Sequence, residues 1–394
     1  MRKSWPVFLL LISVATQLQA ATLIGWAQMP ADTFTPGPTS GQFIEAKNGK
    51  LPPFVDRQPV QGFSALLAAD QGSFFALTDN GFGARDNSAD YLLGWYRIRP
   101  HFRRADALAK NTVKHEIDGT IVVEEITRLS DPSSLLDFKL SRESDRLLTG
   151  ADLDPESFRL TPDGSFWIGD EFLPALLQFN SRGELLAAPF TLPGLASKGN
   201  PMGEVASLRS SRGFEGLGQS RDGLWLYPML EGAMLSAEPG LNIYTFDVTK
   251  QKFVNTDASQ PSYRYQLSAG STAVGDFTMF SDSGGLMIER DSLQGSEAVS
   301  KKIYKIDFKQ VGADGFLIKT LVADLLEIED PFDLDQDGSN SFSFPFWTIE
   351  GLVVVNATTL AIANDNNYPF DNARSKTAPD NTEFILLEVA PLWD

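Results

Sequence analysis

The stretch "PESFRLTPDGSFWIGDEF", from Pro155 to Phe172, decides the reading of the fold. An acid stands at its start, Glu156, and about five strand-forming residues follow. Asp163-Gly164 then makes a tight turn, and a second apolar run stops at Asp170 and Glu171. Asp-Gly between two apolar runs is a strong hairpin signal. In an antiparallel hairpin, the start of strand one and the end of strand two share an edge. Glu156 is therefore expected beside Asp170 and Glu171.

The unit recurs along the chain. "GFSALLAADQGSFFALTDNGFG" from Gly62, "GFEGLGQSRDGLWLYPMLEG" from Gly213, "VGDFTMFSDSGGLMIERD" from Val274 and "TIEGLVVVNATTLAIANDNN" from Thr348 have the same layout. The same edge argument puts Glu215 near Glu231, and Asp276 near Glu289 and Asp291. It puts Glu350 near Asn364 and Asp365. Starts near 62, 156, 214, 275 and 349 leave more chain than a hairpin needs and suit four strands per repeat. Residues 175–186, 241–254 and 301–310 are candidates for third and fourth strands. Helical periodicity is scarce, and repeated four-stranded sheets in a circle make a β-propeller. The expected fold is all-β, with five to seven four-stranded blades and six as the favoured number. The C-terminal run 383–392 is expected to close the ring with residues near 22–28, which removes free edges. A pair of packed sheets is the alternative that the repeat disfavours.

Composition narrows the function. The chain has 394 residues, 42% hydrophobic, enough for a sizeable core, and its net charge is -18. Nucleic acid and anionic membrane surfaces are poor partners for that charge. There is no cysteine, so stability comes from packing or bound metal, and no lipid attachment site is available. Arg2 and Lys3, the apolar run 7–15 and Leu18-Gln19-Ala20 read as a signal peptide over 1–20. A single domain over 21–394 follows, exported to the periplasm or secreted, without a membrane anchor and expected to be a monomer.

Acids gathered at one mouth of a propeller repel one another, so they keep their protons or surround a cation. The candidate ligands are Glu156, Asp170, Glu171, Glu215, Glu231, Asp276, Glu289, Asp291, Glu350 and Asp365. These are hard oxygen donors, which suit calcium. With only His101 and His115 and no cysteine, zinc and copper sites are not expected. The bland alternative is that these acids merely end strands and solvate loops. A weaker second site lies in "DLDQDGSNSFSF" (333–344). Asp333, Asp335, Asp337 and Gly338 match the first half of an EF-hand loop, but Phe344 stands at its twelfth position. It is a lone calcium loop or an acidic turn.

No Gly-x-Ser-x-Gly elbow is present, and two histidines leave little for a serine triad. Metal-activated water is the better route for a hydrolase. Arg85 and Arg290 are candidates for orienting a phosphate, with Arg374 and Lys376 as further anion partners. Alternation in "YRIRPHF" puts Arg97 and Arg99 on a solvent face instead.

Several segments together resemble the phytase-like family, described by its esterase-like activity of phytase. They are "GFSAL" (62–66), "LTDNGFGARDNSADYLL" (77–93), "LTGADLDPESF" with "DGSFWIGDEF" (148–172), "GFEGL" (213–217), "GDFT" (275–278), "ERD" (289–291), "IEGL" (349–352) and "NDNNYPF" (364–370). The resemblance covers roughly 55–390. It is also distantly similar to calcium-dependent propeller phytases and alkaline phosphatases. It implies an exported propeller that hydrolyses phosphoric or carboxylic esters of small molecules. The expected function is a calcium-dependent phosphoric-ester hydrolase. The alternatives are a carboxylester or lactone hydrolase, and a calcium-stabilised binding propeller without catalysis.

Overall fold

The computed structural model describes residues 20–108, 118–235 and 239–393. The expected signal peptide, save Ala20, and His115 lie outside the described residues.

Five four-stranded units make up the body. Blade 1 runs outward through Phe63–Ala68, Phe74–Thr78, Gly94–His101 and Thr120–Arg128. Blade 2 uses Pro155–Leu160, Phe166–Asp170, Ala175–Phe179 and Phe190–Thr191. Blade 3 starts with Phe214–Gln219 and Trp225–Leu230. Its outer half is split: Leu241–Ile243 and Phe246–Asp247 both pair with the second strand. Blade 4 has Ala273–Met279, Gly284–Arg290, Lys301–Val311 and Leu317–Asp324. Blade 5 has Thr348–Asn356, Thr359–Asp365 and Thr382–Glu388, with Thr22–Met29 as its outermost strand.

The innermost strands neighbour one another in the order of blades 1, 2, 3, 4, 5 and back to 1. This is a closed β-propeller with five such units among the described residues, rather than the favoured six. Among the described residues, the long interval before Glu156 holds no extra blade. Residues 129–154 cross as a loop carrying only isolated bridges such as Ser130 to Leu147. Ring closure follows the expected route, with Trp26 opposite Ile385 in an antiparallel ladder. The N-terminal strand also touches blade 1 through Gln28 and Thr120, so blades 5 and 1 share one continuous sheet. Two assignments move: in blade 2, Leu185 only bridges Phe179 and the fourth strand is Phe190–Thr191, and in blade 4 residues 301–310 form the third strand alone, with Leu317–Asp324 as the fourth.

Strand periodicity explains the core. Phe166 and Ile168 face blade 1 and pack with Trp95 and Leu77. Trp167 points the other way, towards Leu217 and Phe246 of blade 3. Successive side chains on one strand thus fill two different interfaces. Where inner strands crowd the axis, side chains give way to glycine. A Cβ on Gly275 would lie 2.2 Å from the Ile349 carbonyl oxygen, and one on Gly216 would lie 2.6 Å from Phe277 Cβ. The Asp-Gly turns hold as expected: Gly164 and Gly223 have φ of 82° and 71°. Asp163 Oδ1 accepts the Ser165 N–H at 3.0 Å, and Asp222 Oδ1 accepts that of Leu224 at 3.0 Å. One four-residue α-helix, Ala105–Leu108, is present, and among the described residues no helix is long and apolar enough to cross a membrane.

Candidate functional site

The mouth of the channel is built by one backbone device used five times. In every inner strand, one extra residue interrupts the ladder to the second strand. The skipped residues are Ser64, Glu156, Glu215, Gly275 and Glu350. Such a bulge frees its residue from pairing and re-aims its side chain. Three of the five are glutamates. On the second strand, the residue just beyond the partner of the pre-bulge position is Asp79, Glu171, Glu231, Arg290 or Asp365 in blades 1 to 5. The amides of Asp79, Glu171 and Glu231 are held alike. They donate to the carbonyls of Gly62, Asp154 and Gly213 at 2.9, 3.0 and 3.0 Å.

These groups are buried. Glu215 is 2% exposed, Glu171 and Glu350 are 4% exposed, and Glu156 is 9% exposed. Carboxylate oxygens of Asp154, Glu156 and Glu171 all lie within 4.8 Å of one another. Burial, and then the neighbouring carboxylates, push Glu156, Glu171, Glu350 and Asp79 well above the usual carboxylate range. Burial lifts Glu215 to about 8, against the pull of Arg290 and Arg212. Desolvation disfavours the charged form, and like charges add to it.

Two guanidinium groups enter the cluster. Arg290 Nη2 donates to Glu231 Oε1 at 2.6 Å and lies 3.6 Å from Glu350 Oε1. Arg212 pairs with the other oxygen of Glu231. Glu171 Oε1, Glu215 Oε1 and Arg290 Nε are among the polar atoms that remain buried there without a partner. An unpaired buried polar atom costs about 1–3 kcal/mol. The mouth therefore keeps unused binding capacity for both a cation and an anion.

The expected ligands divide into three groups. Glu156, Glu171, Glu215, Glu231 and Glu350 meet at the mouth. Asp365 joins them, raised to about 6 by burial, with Oδ1 accepting the Asn367 N–H at 2.8 Å. Asp170 and Asp276 lie at the site but brace backbone. Asp170 accepts from the amides of Asp154 and Leu173, both at 2.6 Å, and burial lifts it to about 8. Asp276 Oδ2 accepts the Leu352 N–H of blade 5 at 2.9 Å, its Oδ1 lies 3.7 Å from Arg159, and burial lifts it to about 6.

Glu289 and Asp291 are not brought to the cluster. Glu289 shares its strand face with Met287 and turns to blade 3, where Tyr265 Oη donates to it at 2.6 Å, and Lys319 of its own blade pairs with it. Asp291 ties a loop, accepting from Ser300 N at 2.7 Å and Lys301 Nζ at 2.9 Å. Blade 4 offers Arg290 at the equivalent position instead.

Arg85 is held away from free rotation. It donates to the carbonyls of Ala151 at 3.0 Å and Gly199 at 2.7 Å, which braces two loops at the mouth. Arg374 forms a two-pronged bond with Glu383 at 2.8 and 2.7 Å. Arg97 and Arg99 share Glu124 on the outer face of blade 1, as alternation requires. In the second acidic loop, Asp333 and Asp335 cluster with Asp330, and Asp337 stays apart as the acceptor of Ser339 N–H.

Sequence reading missed Asp79, Asp154 and Arg212. Asp79 ends its hairpin as Glu171 ends its own, so alignment of "TDNG" (78–81) with "DEFL" (170–173) would have found it. Asp154 and Arg212 precede the inner strands, where the repeat has no signal.

The family model described as phytase-like, esterase-like activity of phytase, matches residues 58–368. No curated protein matches the chain. Among solved structures, the chain is similar to a GH43 endo-arabinanase from Bacillus licheniformis, with 11% identity, a TM-score of 0.40, and 91% of this chain and 97% of that one covered. A luciferin-regenerating enzyme gives 11% identity and a TM-score of 0.39 over 94% of each chain. The PQQ-bound aldose sugar dehydrogenase from Streptomyces coelicolor gives 9% identity and 0.36, over 94% of this chain and 100% of that one.

Proposed function

The chain belongs to the phytase-like family, and on that premise we propose that its acidic mouth holds a divalent cation, calcium by preference, and hydrolyses phosphoric esters of small molecules. One observation carries this reading: three buried carboxylates converge within 4.8 Å beside unpartnered Glu171 Oε1, Glu215 Oε1 and Arg290 Nε. The donor set is oxygen throughout, which suits a hard cation. Asp154, Glu156 and Glu171 would hold it, with Glu215 and Glu350 adjoining. When bound, the cation supplies charge neutralisation on phosphoryl oxygens and makes a neighbouring water more acidic.

The chain's own groups do the rest. Arg290, fixed by Glu231, keeps its Nε–H for a phosphoryl oxygen, and a guanidinium matches that geometry well. Asp170 holds the Asp154 amide and so positions that ligand. Glu215, lifted to about 8 by burial, is the candidate to donate a proton to the departing oxygen. The burial of the cluster keeps bulk water from screening these charges. The positive start, apolar run and Leu18-Gln19-Ala20 support an exported, periplasmic or secreted, location for this chemistry.

The test is hydrolysis of p-nitrophenyl phosphate, phytate and p-nitrophenyl acetate, each in EDTA and then with calcium restored. Phosphate release that returns with calcium and is lost in Glu171→Gln is the expected result. Acetate hydrolysis without phosphate release would replace the substrate by a carboxylic ester. No turnover on any of the three, with calcium still bound, would leave a binding propeller.

A further inference from the structure

A second group of carboxylates lies on the link between blades 4 and 5, apart from the channel mouth. Two short strands, Ile328–Glu329 and Ser341–Phe342, pair antiparallel there and enclose the loop 330–340. Asp330 opens that loop and is fully buried, 0% exposed. Its Oδ2 accepts the Leu334 N–H at 2.7 Å, and its Oδ1 is buried with no partner. One oxygen each of Asp330, Asp333 and Asp335 come within 4.8 Å of one another. Asp333 Oδ1 accepts the Gly338 N–H at 3.0 Å, and Asp335 Oδ1 accepts that of Asp337 at 3.3 Å, so each acid has a second oxygen to offer.

The surrounding cations do not satisfy these acids. Arg103 donates to the Leu334 carbonyl at 2.8 Å, and Arg374 is committed to Glu383. Among the described residues, no ion pair joins an arginine or lysine to Asp330, Asp333 or Asp335. A buried carboxylate oxygen without a donor is costly, and two further carboxylates nearby raise that cost. A divalent cation would relieve both.

We propose that Asp330, Asp333 and Asp335 form a structural calcium site that fastens the ring closure. The donors are hard oxygens, and Asp333 and Asp335 are only half-buried, which leaves room for the waters that complete six to eight ligands. Magnesium, which demands a near-ideal octahedron, fits an irregular loop less well. The place gives the site its role. Glu329, adjacent to Asp330, donates its N–H to the Ala21 carbonyl at 2.9 Å, and pairs in parallel with Thr22 of the closing strand. Arg103, bonded to the same loop at Leu334, stacks over Trp26 of that strand at 4.5 Å. A cation ordering this loop therefore orders the seat of the N-terminal strand.

The test uses the full chain and calcium alone. Calorimetric titration and thermal melting are run on the wild type and on Asp335→Asn, Asp330→Asn, Asp337→Asn and Glu171→Gln. Asp335→Asn is expected to weaken one class of calcium sites by about tenfold or more and to cut the calcium-induced rise in Tm. Asp337→Asn leaves both intact. Glu171→Gln keeps this class of sites and disturbs only the mouth, so failure here and failure of the mouth reading are told apart. If Asp330→Asn does not fold, Asp335→Asn decides, because its half-buried side chain tolerates an amide. Wild-type stoichiometry and an unchanged Tm rise in Asp335→Asn would overturn the proposal.

Discussion

Blades 2 and 4 carry the same backbone and opposite chemistry. Both break the inner ladder by one residue and end the second strand at the channel mouth. Blade 2 fills those two places with Glu156 and Glu171. Blade 4 fills them with Gly275 and Arg290. The bulge sets where a side chain goes, and the residue type sets what it does there. Arg290 is the counter-charge that lets Glu231 and Glu350 sit buried beside it. The acidic side of the ring and its one guanidinium side are thus parts of one site, and each can be removed separately.

The largest effect is expected from the guanidinium side. Arg290→Met leaves Glu231 and Glu350 without that partner. Breaking a buried charge pair from one side costs about 3 kcal/mol or more. The loss should be greatest in EDTA near pH 8, smaller near pH 5, where the acids can take up protons, and partly repaired by calcium. Urea unfolding at the two pH values measures it. A loss below about 1 kcal/mol under all conditions would mean that blade 4 is not the counterweight.

Next comes the acidic side. Glu156→Gln with Glu171→Gln should lower calcium affinity by about 10- to 100-fold and remove phosphoesterase activity. Without metal the same double variant should be more stable than the wild type at pH 8, because it relieves repulsion. Calorimetry and melting curves check both signs. Equal calcium affinity would break the metal reading of blade 2.

The pH dependence follows from the same groups. Asp276 and Asp365 titrate at about 6 in the folded chain, and Asp170 and Glu215 at about 8, all raised first by burial. Their ordinary values are 3.8 for Asp and 4.5 for Glu. Between those values and the folded ones, the native state holds protons that the unfolded chain has lost. Stability then falls as pH rises. The metal-free protein should be most stable near pH 4–5 and should weaken progressively to pH 8.5, and saturating calcium should flatten the slope. Urea midpoints across that range test it, and a flat profile in EDTA would show that the acids are already charged.

Much of this frame was legible in the residues. Asp163-Gly164 and Asp222-Gly223 marked hairpins that form as read, and the C-terminal run meets residues 22–29 as edge removal demands. The acids at both hairpin ends marked the mouth. Blade number was not legible, because the long interval before Glu156 could hold either a further blade or an insertion, and residues 129–154 serve as a loop. The exact ligand set was not legible either. A strand of period two sends Glu289 and Arg290 to opposite faces, and a one-residue bulge shifts which neighbour reaches the axis. Spacing alone put Glu289 near Asp276 at the mouth, whereas the ladder pairs Glu289 with Val274 and Asp276 with Ile288, and leaves Arg290 at the mouth position.

Glu289 supplies the smallest and most discriminating change. It is fully buried, as the mouth glutamates nearly are. Burial pushes it up, but Lys319, Tyr265 Oη and the Ser268 amide outweigh burial and hold it below 4.5. Its contribution to stability is therefore present above pH 4.5 and lost as pH falls through its folded value, opposite in sign to the mouth acids. Glu289→Gln can keep hydrogen bonds from Tyr265 and Ser268 while losing the charge opposite Lys319. It should cost about 1 kcal/mol near neutral pH, reduce acid sensitivity below pH 4.5, and leave calcium affinity and ester hydrolysis unchanged. Melting curves from pH 3 to 7, with a calcium titration, measure all three. A change in calcium affinity would return Glu289 to the ligand set and blur the contrast between blades 2 and 4. An unchanged affinity would mean that one position along a strand separates a structural glutamate from the mouth of the channel.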